Sequence, residues 1–378
     1  MEKEFDLLVF IARAQPFHNQ HKRIIDIALQ KSRKCLVLIG SADKARSVRN
    51  PFTYDERMSV IQLCYPHPIA GNGDSWGNND VIIKPIRDKT YNDSAWIKQI
   101  QDIVTEEALN LANPGTGFRN NGIKDIRVGL IGASKDHTSY YLKMFPQWES
   151  VNVPIIHPIN STDIRNDYFK LNSSNDIIDF EEKYKDLLPK PSLDFLLDKH
   201  FMYPNSEIGY IHTSYYTQLK SELEHIEKYK KSWEAAPYPV KHLTVDSVVE
   251  QSGHVLMVKR RSEPGKGLWA LPGGHLEMHE TMLDGAIREL YEETKIKVPE
   301  PVIRGSLVNQ RIFDEPHRST IGRVVTQGFH FRLKDDIKLP KVRGADDAEK
   351  AFWVPVSQLK EDMCYDDHYH IITFFLKL

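Results

Sequence analysis

The chain has 378 residues, with 50 lysines and arginines against 52 aspartates and glutamates, so its net charge of −2 provides no global basic field for nucleic acid or an anionic membrane. This length suggests two or three domains, and a composition 40% hydrophobic and 10% aromatic is ordinary for globular protein, with no apolar run long enough to span a bilayer. Cys35, Cys64 and Cys364 are scattered singly, without zinc spacing or an even count, and the start lacks a basic-then-apolar signal pattern, so a reduced, cytoplasmic protein is expected.

Residues 7–12 form an apolar run, followed by the loop Arg13 to His21 and then Ile24, Ile25, Ala28 and Leu29 at helical spacing. Further apolar runs at 35–39, 81–86, 126–131 and 153–156 alternate with helical patterns, which predicts a parallel sheet. Ligands of such sheets bind beyond the carboxyl ends of the strands, where Arg13 to His21 must lie. His18 and His21, three apart at a helix start, face the same side, and no third ligand of suitable type accompanies them for zinc. Asn160 to Arg165 follows the last run and opens a helix, bringing hydroxyls, free N–H groups and an arginine together as anion binders. Thr53 and Glu56 read as a helix capping box.

Pro189 and Pro191, a new helical pattern and the break at 203–206 place a domain boundary near 205, giving domains 1–204 and 205–378. Leu219, Leu223, Ile226 and Trp233 mark one side of a helix that Pro237 and Pro239 terminate. Residues 243–249 and 255–259, joined through Gln251 to His254, predict a hairpin. A helix from about Thr281 to Lys295 carries Leu283, Ala286, Ile287 and Leu290 on a buried stripe and Glu289, Glu292 and Glu293 on another face. Three carboxylates within one turn repel one another unless a hard divalent cation sits among them, and oxygen ligands suit magnesium or manganese. Residues 311–323 are expected as a loop, followed by an alternating strand over 325–333.

Gly274, five residues, Glu280, seven residues and then Arg288-Glu289-Leu290-Tyr291-Glu292-Glu293 resembles the Nudix box. The resemblance implies an α/β/α sandwich with a mixed sheet. It makes Glu289, Glu292 and Glu293 the metal ligands, Gly273 a backbone ligand, and Arg288 the group that orients a glutamate. The family's glycine near the helix end is Lys295 here, which calls for a left-handed cap or a shifted helix end. The tail, with Asp346, Asp347, Glu349, Phe352 to Pro355 and Asp366-Asp367-His368, resembles the ADP-ribose pyrophosphatases of that family. By that resemblance Arg318 and Arg323 meet a diphosphate or ribose, and one of Asp346, Asp347 and Glu349 assists as a base.

The first half resembles the nucleotidylyltransferase superfamily, with its H-x-G-H pair at His18 and His21 and its S-x-T-x-x-R run at Ser161 to Arg165. More narrowly it resembles archaeal-type nicotinamide-mononucleotide adenylyltransferases, through Asn50 to Thr53 with Glu56 and Arg57, and through Asp88, Asn92 and Trp96. The string 135–148 is similar to bacterial members fused to a Nudix domain. The resemblance implies a Rossmann-like domain in which Arg13, His18, His21, Thr162 and Arg165 hold the phosphates of ATP with magnesium. It gives Asp88, Asn92 and Trp96 to the nicotinamide. Ala12, Ala14 and Gln20 depart from the family's G-R-F-Q-P and H-x-G-H.

Together these resemblances imply one chain that makes NAD from ATP and nicotinamide mononucleotide and hydrolyses ADP-ribose to AMP and ribose 5-phosphate. Its expected partners are these small molecules, not nucleic acid or membrane, and a homo-oligomer stays open. Two alternatives stand for the second half: a non-catalytic ADP-ribose sensor, or a hydrolase of another nucleoside diphosphate derivative.

Overall fold

The computed structural model describes residues 3–66, 80–112, 126–133, 143–156, 159–197 and 210–378. The chain divides into two units, Met1–Lys220 and Ser221–Leu378. The boundary expected near 205, and residues 135–142 of the string 135–148, lie outside the described residues.

In the first unit, β1 (Phe5–Ala12), β2 (Ser32–Ile39), β3 (Val81–Pro85), β4 (Val128–Gly132) and β5 (Glu149–Asn152) form a sheet in the order β3-β2-β1-β4-β5. Every pairing is parallel. The apolar runs become the inner strands because both faces are covered: Leu7, Val9, Leu36, Leu38 and Leu130 pack with Ile100 and Val104 of α3 (Asp93–Ala112). The strand order reverses between β1 and β4, which opens a crevice at their carboxyl ends. The helices α1 (Asn19–Lys31) and α2 (Tyr54–Cys64) start beside that crevice, and α4 (Ser161–Tyr168) opens after β5. The short helices α5 (Ser174–Tyr184) and α6 (Lys190–Leu197) follow.

One strand lies elsewhere than expected. The apolar run 153–156 is not extended ladder; the fifth strand is the polar Glu149–Asn152. As a sheet edge bonded to β4 alone, β5 needs little apolar surface. Val153 is buried and donates its N–H to Gly132 at 2.8 Å, Pro154 lacks a ladder donor, and Ile155 and Ile156 are exposed.

The helix α7 (Ser214–Ser232) buries Leu219 and Ile226 as expected, but it ends before Trp233, which lies beyond the helix and is 46% exposed. In the second unit, β6 (Lys241–Gln251), β7 (His254–Arg260), β10 (Leu307–Phe313), β11 (Arg323–Arg332) and β12 (Ala348–Pro355) run in the order β10-β11-β6-β7-β12. The short β8 (Trp269–Ala270) pairs with β7, and β9 (Gly273–His275) with β6. The sheet is mixed: β11 and β6 are parallel, and the other pairs antiparallel. Ser252 and Gly253, at φ 46° and 72°, make the tight turn of the predicted hairpin. Residues Arg311 to Phe313 belong to β10, not to a loop, because β10 needs only β11 as a partner and leaves its other edge polar.

Between β9 and β10 lie α8 (Met282–Thr294) and the short α9 (Glu300–Gly305). Ala286, Ile287 and Leu290 of α8 pack on Val245, Val249, Leu256 and Phe331, so the predicted stripe forms the core on one face. The C-terminal helix α10 (His368–Leu376) covers the other, where Phe375 lies against Gly328 and the His330 ring. At the end of α8, Lys295 takes the left-handed conformation at φ 45° as the cap, so the helix end is not shifted. No helix among the described residues is long and apolar enough to cross a membrane.

Candidate functional sites

In the first unit, the loop after β1 is held by reciprocal bonds. Gln15 Nε2 donates to the Phe52 carbonyl at 2.8 Å, and the Phe52 N–H donates to Gln15 Oε1 at 3.0 Å. Buried Arg57 donates to the carbonyls of Arg13 and Gly40, each at 2.7 Å, and so joins the carboxyl ends of β1 and β2. His18 is the N-cap of α1, and its N–H donates to His21 Nδ1 at 3.3 Å. The two rings stack with centroids 3.6 Å apart, so the pair acts as one unit. Gln20 is buried, and its Nε2 reaches the Pro154 carbonyl at 3.4 Å, spanning from α1 to the loop after β5.

The expected anion-binding run meets this loop. Asn160 caps α4 by accepting from the Thr162 N–H at 2.9 Å. Arg165 donates to the carbonyls of Gln15 at 2.6 Å and Val48 at 3.1 Å, and to Thr162 Oγ1 at 3.2 Å. Burial, then the charges of Arg13 and Arg49, push the Arg165 guanidinium down to about 10. Cations crowded in this way make a site with an affinity for polyanions. Arg13 itself is exposed at the crevice.

Asp88 follows β3 and accepts from Ser41 Oγ at 2.9 Å, which brings it beside the end of β2. Asn92 starts α3, its Oδ1 accepting from the Ala95 N–H at 3.0 Å. Trp96 is half-buried on the sheet core, 6.0 Å from the Phe145 ring, which in turn stacks on Trp148 at 4.9 Å. Thr53 and Glu56 form the predicted capping box. Arg46 was not singled out by the sequence, yet it clamps Glu56 through both carboxylate oxygens, at 2.6 and 2.5 Å. Its partner is ten residues away and no periodicity links them.

In the second unit, Arg288 fans across the acidic cluster. Its Nε and Nη2 bind Glu280 at 3.0 and 2.8 Å, Nη1 reaches Glu289 at 3.0 Å and Glu292 at 2.8 Å, and Nη2 donates to the His275 carbonyl at 3.2 Å. Glu293 turns instead to β9, accepting from the Gly273 N–H at 3.0 Å. Burial, opposed by that N–H, pushes its carboxyl up to about 8, and burial also raises Glu289. A β-carbon on Gly273 would lie 2.1 Å from the Val245 carbonyl oxygen. Only glycine allows this approach.

Among the described residues no three His, Cys, Asp or Glu side chains converge closely enough to hold an ion as they stand. Arg288 draws Glu289 and Glu292 to itself while Glu293 faces Gly273. The donor set nonetheless fits a hard cation: all its atoms are oxygens, and burial raises two of the carboxylates in spite of Arg288 beside Glu289 and Arg260 near Glu293. Asp346, at φ 52°, adds to the negative charge felt by Glu289, whereas Glu349 pairs with Lys259 at 3.2 Å.

Arg318 is buried and bidentate on Asp367, at 2.9 and 2.8 Å, with Asp246 3.8 Å away. Arg323 starts β11 and donates to the Asp314 carbonyl at 2.7 Å. Behind the site, Asp246 was not singled out, and the partner of His368 was not foreseen. Asp246 accepts from Thr326 Oγ1 at 2.6 Å, and His368 Nδ1 accepts from the Leu271 N–H at 2.8 Å, anchoring the loop ahead of Gly273. A lone acid inside an apolar strand run was the available signal for Asp246.

The profile of the Nudix domain family matches residues 240–375, and that of the cytidylyltransferase-like family matches residues 9–112. A nicotinamide/nicotinic acid mononucleotide adenylyltransferase of Acinetobacter baylyi is 35% identical over 170 residues, covering 44% of this chain and 77% of that one. An ADP-ribose pyrophosphatase of Methanocaldococcus jannaschii is 29% identical over 135 residues, covering 36% of this chain and 73% of that one. The crystal structure of a bifunctional NMN adenylyltransferase/ADP ribose pyrophosphatase from Francisella tularensis, complexed with AMP and a manganese ion, is 30% identical with a TM-score of 0.79 over 99% of both chains. With a nucleotidylyltransferase-like sheet in one unit, a Nudix sheet in the other and a relative matched along nearly its whole length, the chain belongs to the family of bifunctional NMN adenylyltransferase/ADP-ribose pyrophosphatases.

Proposed function

We propose that the chain catalyses adenylyl transfer from ATP to nicotinamide mononucleotide, giving NAD and pyrophosphate, and hydrolyses ADP-ribose to AMP and ribose 5-phosphate. The observation that carries this is the separation of two chemistries: crowded cations at the strand ends of one unit, and carboxylates fanned by Arg288 in the other. The domain division 1–204 and 205–378 is proposed with it.

In the first unit the mononucleotide phosphate attacks the α-phosphorus of ATP, and pyrophosphate leaves without a covalent enzyme intermediate. The chain's residues align the reactants and neutralise charge. Arg13, His18, His21, Thr162 and Arg165 are assigned to the phosphates. The Arg165 bonds to Gln15 and Val48 preorganise the loop that carries them. Asp88 and Asn92 would hold the carboxamide, and Trp96 would stack on the cationic nicotinamide ring. Magnesium is expected to accompany ATP.

In the second unit, Glu289, Glu292, Glu293 and the backbone of Gly273 would hold magnesium or manganese, which supplies charge neutralisation for the diphosphate and acidifies water. Arg288 aims Glu289 and Glu292. Asp346, close enough for its charge to act on Glu289, is the assigned base, ahead of Asp347 and Glu349. Arg323 is assigned to the diphosphate or ribose, and Arg318 to the same task from the fixed position that Asp367 imposes. A cytoplasmic location accords with Cys35, Cys64 and Cys364 standing outside any disulfide.

The test splits the halves. Purified protein with the divalent cation is given ATP and nicotinamide mononucleotide, or ADP-ribose alone, and products are separated by chromatography. Glu292→Gln should abolish ADP-ribose hydrolysis and spare NAD synthesis, and His18→Ala should do the reverse. Equal loss of both activities in either variant rules the two-site assignment out. Tight ADP-ribose binding without turnover would favour a sensor.

A further inference from the structure

Lys295 stands where the Nudix box has its glycine, and it sits at φ 45° as the cap of α8. Glycine enters this left-handed region without strain and lysine does not. Backbone strain kept beside a functional site points to a use for the side chain that bears it.

Lys295 does not stand alone. The segment leading to Asp346 is laced to the end of α8 by backbone hydrogen bonds. The Lys297 N–H donates to the Lys341 carbonyl at 3.1 Å, the Arg343 N–H to the Thr294 carbonyl at 2.8 Å, and the Ala345 N–H to the Glu293 carbonyl at 3.0 Å. This lacing sets Lys295, Lys297, Lys341 and Arg343 on two adjoining stretches of backbone, and all four are exposed. Among the described residues none of the four forms an ion pair, and the next acid along the chain, Glu300, is taken by Arg304 at 2.8 Å. The negative end of the α8 dipole favours a cation here, but the effect is weak at an exposed site and confined to the last turn. It does not account for a strained lysine or for four unpaired cations drawn from two segments.

What lies next to these charges is the acidic cluster. Lys295 follows Glu293 by two residues and Arg343 precedes Asp346 by three. A residue spans at most about 3.6 Å, so both backbone separations stay under about 11 Å, close to the Debye length of about 10 Å at 0.1 M salt. Glu289, Glu292, Glu293 and Asp346 repel an incoming diphosphate, and one divalent cation offsets only part of that charge. We propose that Lys295, Lys297, Lys341 and Arg343 form an anion-capturing rim that draws the diphosphate substrate of the second unit past its own carboxylates. The rim touches none of the reacting atoms and acts through its field. Charge of one sign at a site's mouth raises the local concentration and encounter rate of an opposite charge by about 10- to 1000-fold. The inference rests on the ADP-ribose assignment.

The experiment measures kcat and KM for ADP-ribose with the full chain and saturating divalent cation, from about 0.1 to about 1 M ionic strength, where the Debye length shrinks from about 10 to about 3 Å. Wild type is compared with the combined Lys295→Gln, Lys297→Gln, Lys341→Gln, Arg343→Gln variant, with the charge-conserving Lys297→Arg, Lys341→Arg variant, and with Lys295→Gly. At low salt the fourfold variant should lose about tenfold in kcat/KM with kcat little changed, and the loss should vanish at high salt. The arginine variant should follow wild type throughout. Lys295→Gly should unfold at a higher temperature than wild type yet lose about twofold in low-salt kcat/KM. A loss that persists at high salt overturns the proposal, as do parallel salt curves for wild type and the fourfold variant. Should wild type not hydrolyse ADP-ribose, the assigned reaction fails, and calorimetric binding of ADP decides the rim separately, the first unit contributing equally in both proteins. Binding that weakens with salt more steeply in wild type than in the fourfold variant supports the rim, and equal salt dependence overturns it.

Discussion

Glu289 lies so close against Gly274 that a β-carbon on the glycine would sit 2.4 Å from its Oε1. The carboxylate therefore occupies the space that a side chain would take. Gly274→Ala should push Glu289 out of line while β9 keeps its pairing with β6. A displacement of about 1 Å costs on the order of a hundredfold in rate, so ADP-ribose hydrolysis should fall by about that factor with NAD synthesis unchanged. Steady-state assays of both reactions check this, and full hydrolysis in the variant would contradict it.

Arg288 binds Glu280, Glu289 and Glu292 at once, and its guanidinium is held strongly protonated by hydrogen bonds to Glu280 first. Lysine cannot reproduce a planar fork. Arg288→Lys should lower kcat for hydrolysis by a hundredfold or more, to about the extent of losing one preorganised polar group. Divalent-cation titration of the variant should also show weaker, less cooperative activation. Activation indistinguishable from wild type would refute the aiming role.

Arg165 ties Gln15 and Val48 together in the first unit. Arg165→Ala should reduce NAD synthesis by roughly a hundredfold, the cost of one charged clamp at about 3 kcal/mol. ADP-ribose hydrolysis provides the internal control.

The buried Arg318 and Asp367 pair is exposed by only 5% and 3% at the side chains. Removing one partner leaves a buried charge uncompensated, which costs about 3 to 5 kcal/mol. Asp367→Ala should therefore lower the unfolding temperature of the second unit by many degrees, read by calorimetry. An Arg318→Met, Asp367→Leu double variant should recover much of that loss.

His368 is buried, and burial holds its imidazole below the ordinary 6.5, so the folded chain keeps it neutral as acceptor for Leu271. As pH falls through 6.5 the unfolded chain takes up this proton and the folded chain does not. The unfolded state then binds more protons and stability falls, by up to about 1.4 kcal/mol per pH unit. The stabilisation is fully present above 6.5 and lost below it. Burial raises neighbouring Asp366 with the opposite effect, but that contribution is common to wild type and His368→Asn. The unfolding temperature of wild type should fall more than that of His368→Asn between about pH 7.5 and 5.5, and parallel curves would exclude the effect.

Much of the molecule is set by short-range pattern. Continuous apolar runs made the inner strands at Leu7, Leu36 and Leu130, because residues buried on both faces cannot be polar. The helical period placed Leu283, Ala286, Ile287 and Leu290 inward and the glutamates together, since 3.6 residues per turn determine both faces at once. Where burial was one-sided, pattern misled: the edge strand Glu149–Asn152 is polar, and the apolar Val153 to Ile156 beside it is not a strand. Sequence alone thus determined the two fold classes and the local spacing of His18 with His21 and of Glu289 with Glu292 and Glu293. Tertiary structure alone decided that Arg318 faces Asp367, that His368 anchors Leu271, and that Lys297 lies beside Lys341. Those pairs come from distant segments whose meeting depends on strand register and order, and no period along the chain encodes either.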